Sequence, residues 1–292
     1  MTRRITRSLA FAAAALLLSA CATITKLAYS NAATAYQNLA PMATWMVDDY
    51  VDLQGTQKDW LRQRMARVMA WHRANELPQY RRFLEHALAE SEEPFTVQEI
   101  ADAYGDLREH YHRMVEHLLP DVADFFLQLD FDQVQQMEKK FADDNKKFVR
   151  ESTTGTRSDR LEKRAERFNQ HLEAWVGGLS AAQKTLVLQR LELIPDFVEE
   201  RLADRKYRQG ETLALIRAHP PKDKMIAGLR RLLIDTESWR RPEFQQRMKE
   251  RDQRTFELIA AFSKTLTPAQ RGHLQARIRR YLQDITSLTS KN

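Results

Sequence analysis

The stretch REHYHRMVEH, residues 108–117, is the densest grouping of ionisable side chains in the chain. On a helix, Glu109, His112 and Glu116 share one face at i, i+3 and i+7, while His110 and His117 lie seven apart on a neighbouring face. Imidazole combined with carboxylate suits zinc or copper, so this face is a candidate metal site. A structural metal site normally takes four converging ligands, however, and no second His/Cys cluster is evident elsewhere in the sequence. A solvated helix face is the simpler reading.

Trp71-His72-Arg73 with Glu76 has the residue types of a general base and its orienting acid. No nucleophile and no glycine-rich oxyanion loop accompanies them. They are therefore expected to be structural, with the indole packed and the polar groups closing a helix end before Pro78. Asp48, Asp49 and Asp52, beside Tyr50, form an acidic patch whose expected partners are Arg62 and Arg64 after the turn. No P-loop, dinucleotide fingerprint, G-x-S-x-G or zinc-protease pattern occurs. No catalytic residue and no cofactor is expected.

The elements that would position these groups are helices. Only eight glycines and nine prolines occur in 292 residues, and Leu, Ala, Arg, Glu, Gln and Lys, all good helix formers, dominate. The expected fold is all-α with no β-sheet, an elongated or curved multi-helix bundle or array with short capped helices. Residues 31–50 read as a short helix interrupted at Pro41, and 56–74 as an amphipathic helix with Trp60, Leu61, Met65, Val68 and Met69 at helical spacing. Leu77-Pro78 marks a break. A helix opens at the capping box Thr96–Glu99 and kinks or restarts at Pro120, and AHPPKD at 218–223 marks another break. The polar stretch STTGTRSD, residues 152–159, reads as a connecting loop between an N-terminal helical half, 31–151, and a C-terminal half, 160–285, with 286–292 a frayed tail.

One device recurs four times: Leu, three residues, then Gln. The copies are Leu53 to Gln57, Leu129 to Gln133, Leu179 to Gln183 and Leu266 to Gln270. Apolar residues follow at eight and twelve positions after each Leu (Leu61 and Met65, Met137 and Phe141, Val187 and Leu191, Leu274 and Ile278). A basic residue follows at eleven: Arg64, Lys140, Arg190 and Arg277. The unequal spacing of the copies excludes a fixed-period solenoid. Ser180 or Thr267 with a glutamine three residues on is a capping box, Pro268 suits the first helical position, and the apolar positions are the buried stripe of the helix that follows. In the first copy Gln54 is a poor cap, and Asp52 or Thr56 is expected to replace it.

The chain opens with a cationic stretch, Arg3, Arg4 and Arg7, then an apolar run from Leu9 to Leu18, about half of the roughly 20 residues needed to span a bilayer. Leu18, Ser19 and Ala20 then precede Cys21, the single cysteine. An aliphatic residue, two small residues and a thiol resemble the bacterial lipobox, in which the thiol accepts a diacylglycerol and the small residues admit the signal peptidase. The expectation is a lipoprotein signal peptide at 1–20, acylation of Cys21, and a tether at 21–30. Each buried acyl CH₂ contributes about 0.8 kcal/mol to anchoring. Ala22, rather than aspartate, points to the outer membrane facing the periplasm, with the inner membrane the alternative. The leader arginines carry three of the six net positive charges, and the remainder is interspersed, so nucleic acid is not an expected partner.

Two resemblances follow from these residues. LTPAQ and LSAAQ are similar to the L-T-x-x-Q motif of the Spy/CpxP periplasmic chaperone and stress-sensor group, which implies a helical surface that holds clients or senses envelope damage. CATITKLAYSNA, WMVDDYVDLQGTQKDWLRQRM and AWHRANELPQYRRFL together resemble the DUF6279 lipoproteins over residues 21–85. That likeness implies a location and a helical fold and brings no catalytic residues. The expected role is non-enzymatic: envelope maintenance, chaperone-like or scaffold binding of protein partners or clients. The alternative is a metal- or ligand-binding envelope sensor centred on residues 109–117.

Overall fold

The computed structural model describes Tyr36 and residues 38–290. The lipobox residues Leu18, Ser19 and Ala20, the acceptor Cys21 and the tether at 21–30 lie outside the described residues. The described chain is all-α, with no strand among the described residues. Its α-helices are α1 (Leu39–Val51), α2 (Gly55–Asn75), α3 (Leu77–Glu90), α4 (Val97–Phe126), α5 (Phe131–Thr153), α6 (Arg157–Val176), α7 (Ala181–Glu192), α8 (Val198–Ala218), α9 (Lys222–Leu233), α10 (Pro242–Ser263) and α11 (Pro268–Thr289). Among the described residues, no helix is long and apolar enough to cross a membrane.

Local chemistry sets where several helices start. Thr96, Asp130, Thr156, Ser180 and Thr267 each accept the N–H three residues on, and Glu99, Gln133, Asp159, Gln183 and Gln270 return to the cap's own N–H. Two of the four orphan N–H groups of each helix start are thereby satisfied, a contribution of about 1 kcal/mol per cap. In the first copy Gln54 itself is the N-cap, in place of Asp52 or Thr56, and its N–H donates to Gln57 Oε1 at 3.0 Å.

The buried side chains form two main cores. The first gathers α1, the C-terminal part of α4, α5, the C-terminal half of α8, and α9, with Phe126, Leu119, Met137 and Met225 among its most enclosed members. The second is built from α6, α7, the C-terminal part of α10, and α11, centred on Val187 and Leu258, with Leu84 and Leu88 of α3 packed against it. The boundary between them is therefore not the expected division into residues 31–151 and 160–285. Leu213, Ile216, Met225, Leu229 and Leu233 return to the first core, because their apolar stripes find cover on α4 and α5.

Other expectations shift for similar reasons. The loop at 152–159 shrinks to Thr154–Thr156, since Thr156 and Asp159 make a capping box that carries α6 back to Arg157. Pro41 sits in the first turn of α1, where its missing N–H would be an orphan anyway. α4 runs through Pro120 as one helix. The tail expected to fray at 286–292 remains helical to Thr289, because Ile285 and Leu288 pack with Tyr36 and Leu77 in a small third core.

Candidate functional site

The four Leu-x₃-Gln copies come together two by two. Gln57 and Gln133 exchange amide hydrogen bonds, Nε2 of each donating to Oε1 of the other at 3.0 and 2.7 Å. Gln183 and Gln270 do the same at 2.8 and 3.0 Å. Each Oε1 also accepts its own cap N–H, from Gln54, Asp130, Ser180 or Thr267. Each Nε2 also donates to the carbonyl just before the partner's leucine. Gln133 reaches Asp52 O at 3.3 Å and Gln57 reaches Gln128 O at 3.5 Å. Gln183 reaches Thr265 O at 3.0 Å and Gln270 reaches Gly178 O at 2.8 Å.

The four glutamines are buried, and all hydrogen-bonding groups of each amide have partners. One such lock joins the starts of α2 and α5, and the other those of α7 and α11. Backbone shape prepares the acceptors: Asp52 and Gly177, beside Gly178, hold positive φ values of 49° and 82°. These residues staple helix starts, and their chemistry is architectural.

A second buried cluster lies where α2, α3 and α4 meet. The Glu76 side chain, 1% exposed, accepts from His110 Nδ1 at 2.8 Å and from Arg113 Nε at 3.0 Å. The same His110 Nδ1 also lies 2.5 Å from Arg113 Nη2, so the imidazole, the guanidinium and the carboxylate form one compact cluster. Burial pushes the Glu76 carboxyl upward, but the bonds from Arg113 and His110 outweigh it and hold the group below the usual range. His72 lies beside this pair, its Nδ1 3.1 Å from the Tyr36 hydroxyl, which also lies 3.2 Å from Met69 O. Burial pulls the imidazole down to about 4, against the pull of Glu76. His72 is thus a neutral, half-buried ring, and the acid expected to orient it is bonded to His110 and Arg113 instead. The arrangement ties Tyr36, α2, α3 and α4 together. The Trp71 indole is packed as expected, stacked on His117 at a centroid distance of 3.8 Å, but the His72 and Glu76 side chains bond neighbouring elements rather than closing the end of α2.

The metal candidates are dispersed. Glu116 pairs with Arg230 of α9, His110 serves Glu76, and His117 lies on Trp71. His112 is lowered by burial first and then by Arg108. Among the described residues, no three His, Cys, Asp or Glu side chains converge in a way that could hold a metal ion, so Glu109, His112 and Glu116 do not make a site. A shared helix face was the right geometry, but neighbouring helices supply cations and aromatics where further ligands were needed. The acidic patch at 48–52 also finds other partners. Asp48 pairs with Lys58 at 3.1 Å and Asp49 with Lys140 at 2.6 Å, while Arg62 bonds Asp59 and Arg64 bonds Asp121.

Several large apolar side chains remain in solvent. Trp45 of α1 is 69% exposed and Phe131, at the start of α5, 73%, with Leu193 and Tyr207 also exposed. An exposed indole and phenyl have surface to bury against another molecule. Sequence reasoning missed the pairing of the glutamines.

The model of a family of unknown function, DUF6279, matches residues 49–245, from the end of α1 to the start of α10. No curated protein and no solved structure matches the chain. The likeness to the Spy/CpxP group therefore rests on the Leu-x₃-Gln spacing alone.

Proposed function

This chain belongs to the DUF6279 family, and from that premise we propose that it is a lipid-anchored, periplasm-facing scaffold that binds protein partners or unfolded clients without catalysing a reaction. The observation that carries this reading is the exposure of Trp45 and Phe131 on well-packed helices. An aromatic held in water by a rigid element loses little conformational freedom on binding and gains its full apolar burial. The buried His, Glu and Gln groups support the same reading, since they are committed to internal hydrogen bonds. The anchor is proposed on the Leu18-Ser19-Ala20-Cys21 pattern, and the outer-membrane destination on Ala22.

Aggregation of a chemically denatured client is the direct test. The full chain at several-fold excess is expected to suppress light scattering, and the double variant Trp45→Ser, Phe131→Ser is expected to lose most of that effect while keeping its helical circular dichroism. Equal suppression by the variant, or none by the parent chain, would count against the proposal.

A further inference from the structure

A histidine stands at the edge of the small third core. Tyr36, 8% exposed, is seated there on Leu77 of α3 and on Ile285 and Leu288 of α11. Its hydroxyl donates to Met69 O at 3.2 Å, and its oxygen lies 3.1 Å from His72 Nδ1. The half-buried His72 ring lies 5.5 Å from the ring centres of both Tyr36 and Tyr80. One side chain thus joins the start of the described chain to α2, α3 and the last turns of α11.

The groups around His72 leave an added proton without a partner. On its own helix Arg73 follows it, and pulls at the Tyr36 hydroxyl against the upward push of burial. Glu76, at the end of the same helix, is the carboxylate that acts on the ring, and it already accepts from His110 Nδ1 and Arg113 Nε of α4. Tyr80 is the neighbour from α3, and α11 brings the aliphatic Ile285 and Leu288 to the seat. An imidazolium at this position is a further cation beside Arg73, His110 and Arg113, around one carboxylate that is already bonded. Burial disfavours that charge most, against the pull of Glu76, and His110 adds to the effect.

An imidazolium without a counter-ion needs water. The bonds of Glu76 join α2, α3 and α4 beside the ring, so the ring gains water by losing Tyr36 rather than by parting the helices. A seat built for stability alone would be served by a neutral amide at position 72, whereas imidazole is the side chain that charges between neutral and mildly acidic pH. We propose that Tyr36 is an acid-released latch: protonation of His72 unseats it from α2, α3 and α11 while the two main cores stay closed. Tyr36 is the described residue nearest to Cys21, so on the anchored reading acid loosens the helical body from the end of the chain that leads to the membrane. The release itself does not depend on the anchor.

Hydrogen exchange of the full chain in mild detergent, read by mass spectrometry at pH 7 and pH 4.5 and corrected for the intrinsic pH dependence of exchange, tests the latch. Amides at 285–289, the turns beneath Tyr36, are expected to lose about tenfold in protection between the two conditions, while those of α7 in the second core keep theirs. His72→Asn, whose amide nitrogen can take the place of Nδ1 and carries no charge, should leave 285–289 equally protected at both. Tyr36→Ala should show at pH 7 the exchange that the parent shows at pH 4.5, with little further change in acid. Unchanged protection in the parent, an equal loss in α7, or an acid-dependent loss kept by either variant would overturn the proposal.

Discussion

Gln183→Ala is expected to lower the stability of the chain by about 3–5 kcal/mol, read from urea unfolding followed at the helical circular dichroism band. An ordinary surface glutamine would have an effect near zero. Gln183 is buried, and truncation removes several interactions at once. The Ser180 N–H loses the acceptor that caps α7, the Thr265 carbonyl loses its donor, and Gln270 is left with half of its amide unpaired. A stranded buried polar group costs about 1–3 kcal/mol, so the partner's loss dominates. Gln183→Glu sharpens the test. Glutamate still accepts the cap N–H, but it cannot donate, and it faces the Gln270 oxygen and the Thr265 carbonyl. It should therefore be as damaging as alanine, although a capping role alone would predict near neutrality. The double variant Gln183→Ala, Gln270→Ala should lose clearly less than the sum of the single changes, because each single change strands the other amide. Substitutions at Gln57 or Gln133 lie in the other lock and should add independently.

Glu76→Ala is the second large effect, expected at about 3 kcal/mol. That is the lower end for breaking a buried charge pair, because Arg113 is half-exposed and can turn to water, whereas His110 is enclosed and cannot. The same cluster gives a signed pH dependence. The folded-state pKa values of both His72 and Glu76 lie below their unfolded values, so the unfolded chain binds more protons in acid and stability falls as pH falls. The His72 contribution is intact above about 6.5 and is lost as pH falls toward about 4, a change of about 3 kcal/mol. The Glu76 contribution is lost below about 4.5, as pH falls through its folded value. Urea unfolding at pH 7, 5 and 4 reads this slope. In Glu76→Gln the decline between pH 7 and 5 should persist, while the steeper loss below pH 4.5 should flatten. A pH-independent stability between 7 and 4 would contradict a neutral His72.

How much of this was legible in the sequence depends on the range of each interaction. The helix starts at Thr96, Ser180 and Thr267 are decided by residues three apart, and they read correctly. The stripe is equally local and equally readable: Met65, Met137, Phe141, Val187, Leu191, Leu274 and Ile278 are buried, and Leu61 is partly buried against the first core. Thr156 was hidden because its capping partner is Asp159 rather than Glu or Gln, inside a segment whose polarity reads as loop. The joining of Gln57 to Gln133 and of Gln183 to Gln270 depends on three-dimensional packing, and no local pattern says which copy meets which. The same limit applies to Ile285 and Leu288, whose cover includes Tyr36 from the other end of the described chain. Ion pairs were the least legible. Arg64 turns to Asp121 and Asp124 of α4, and Asp49 to Lys140 of α5, because long side chains on packed helices meet partners that sequence proximity does not reveal.

Attachment at Cys21 underlies the proposed role, since a scaffold held at a membrane surface and one free in solution would meet different partners. Growth of bacteria expressing the full chain with an alkyne-bearing fatty acid, followed by purification and mass spectrometry of the N-terminus, tests it most directly. The expected result is a mature chain that begins at Cys21 and carries the label, with no label on a Cys21→Ser variant. An unlabelled parent chain cleaved elsewhere, or a Cys21→Ser chain that still carries the acyl group, would contradict the anchored scaffold.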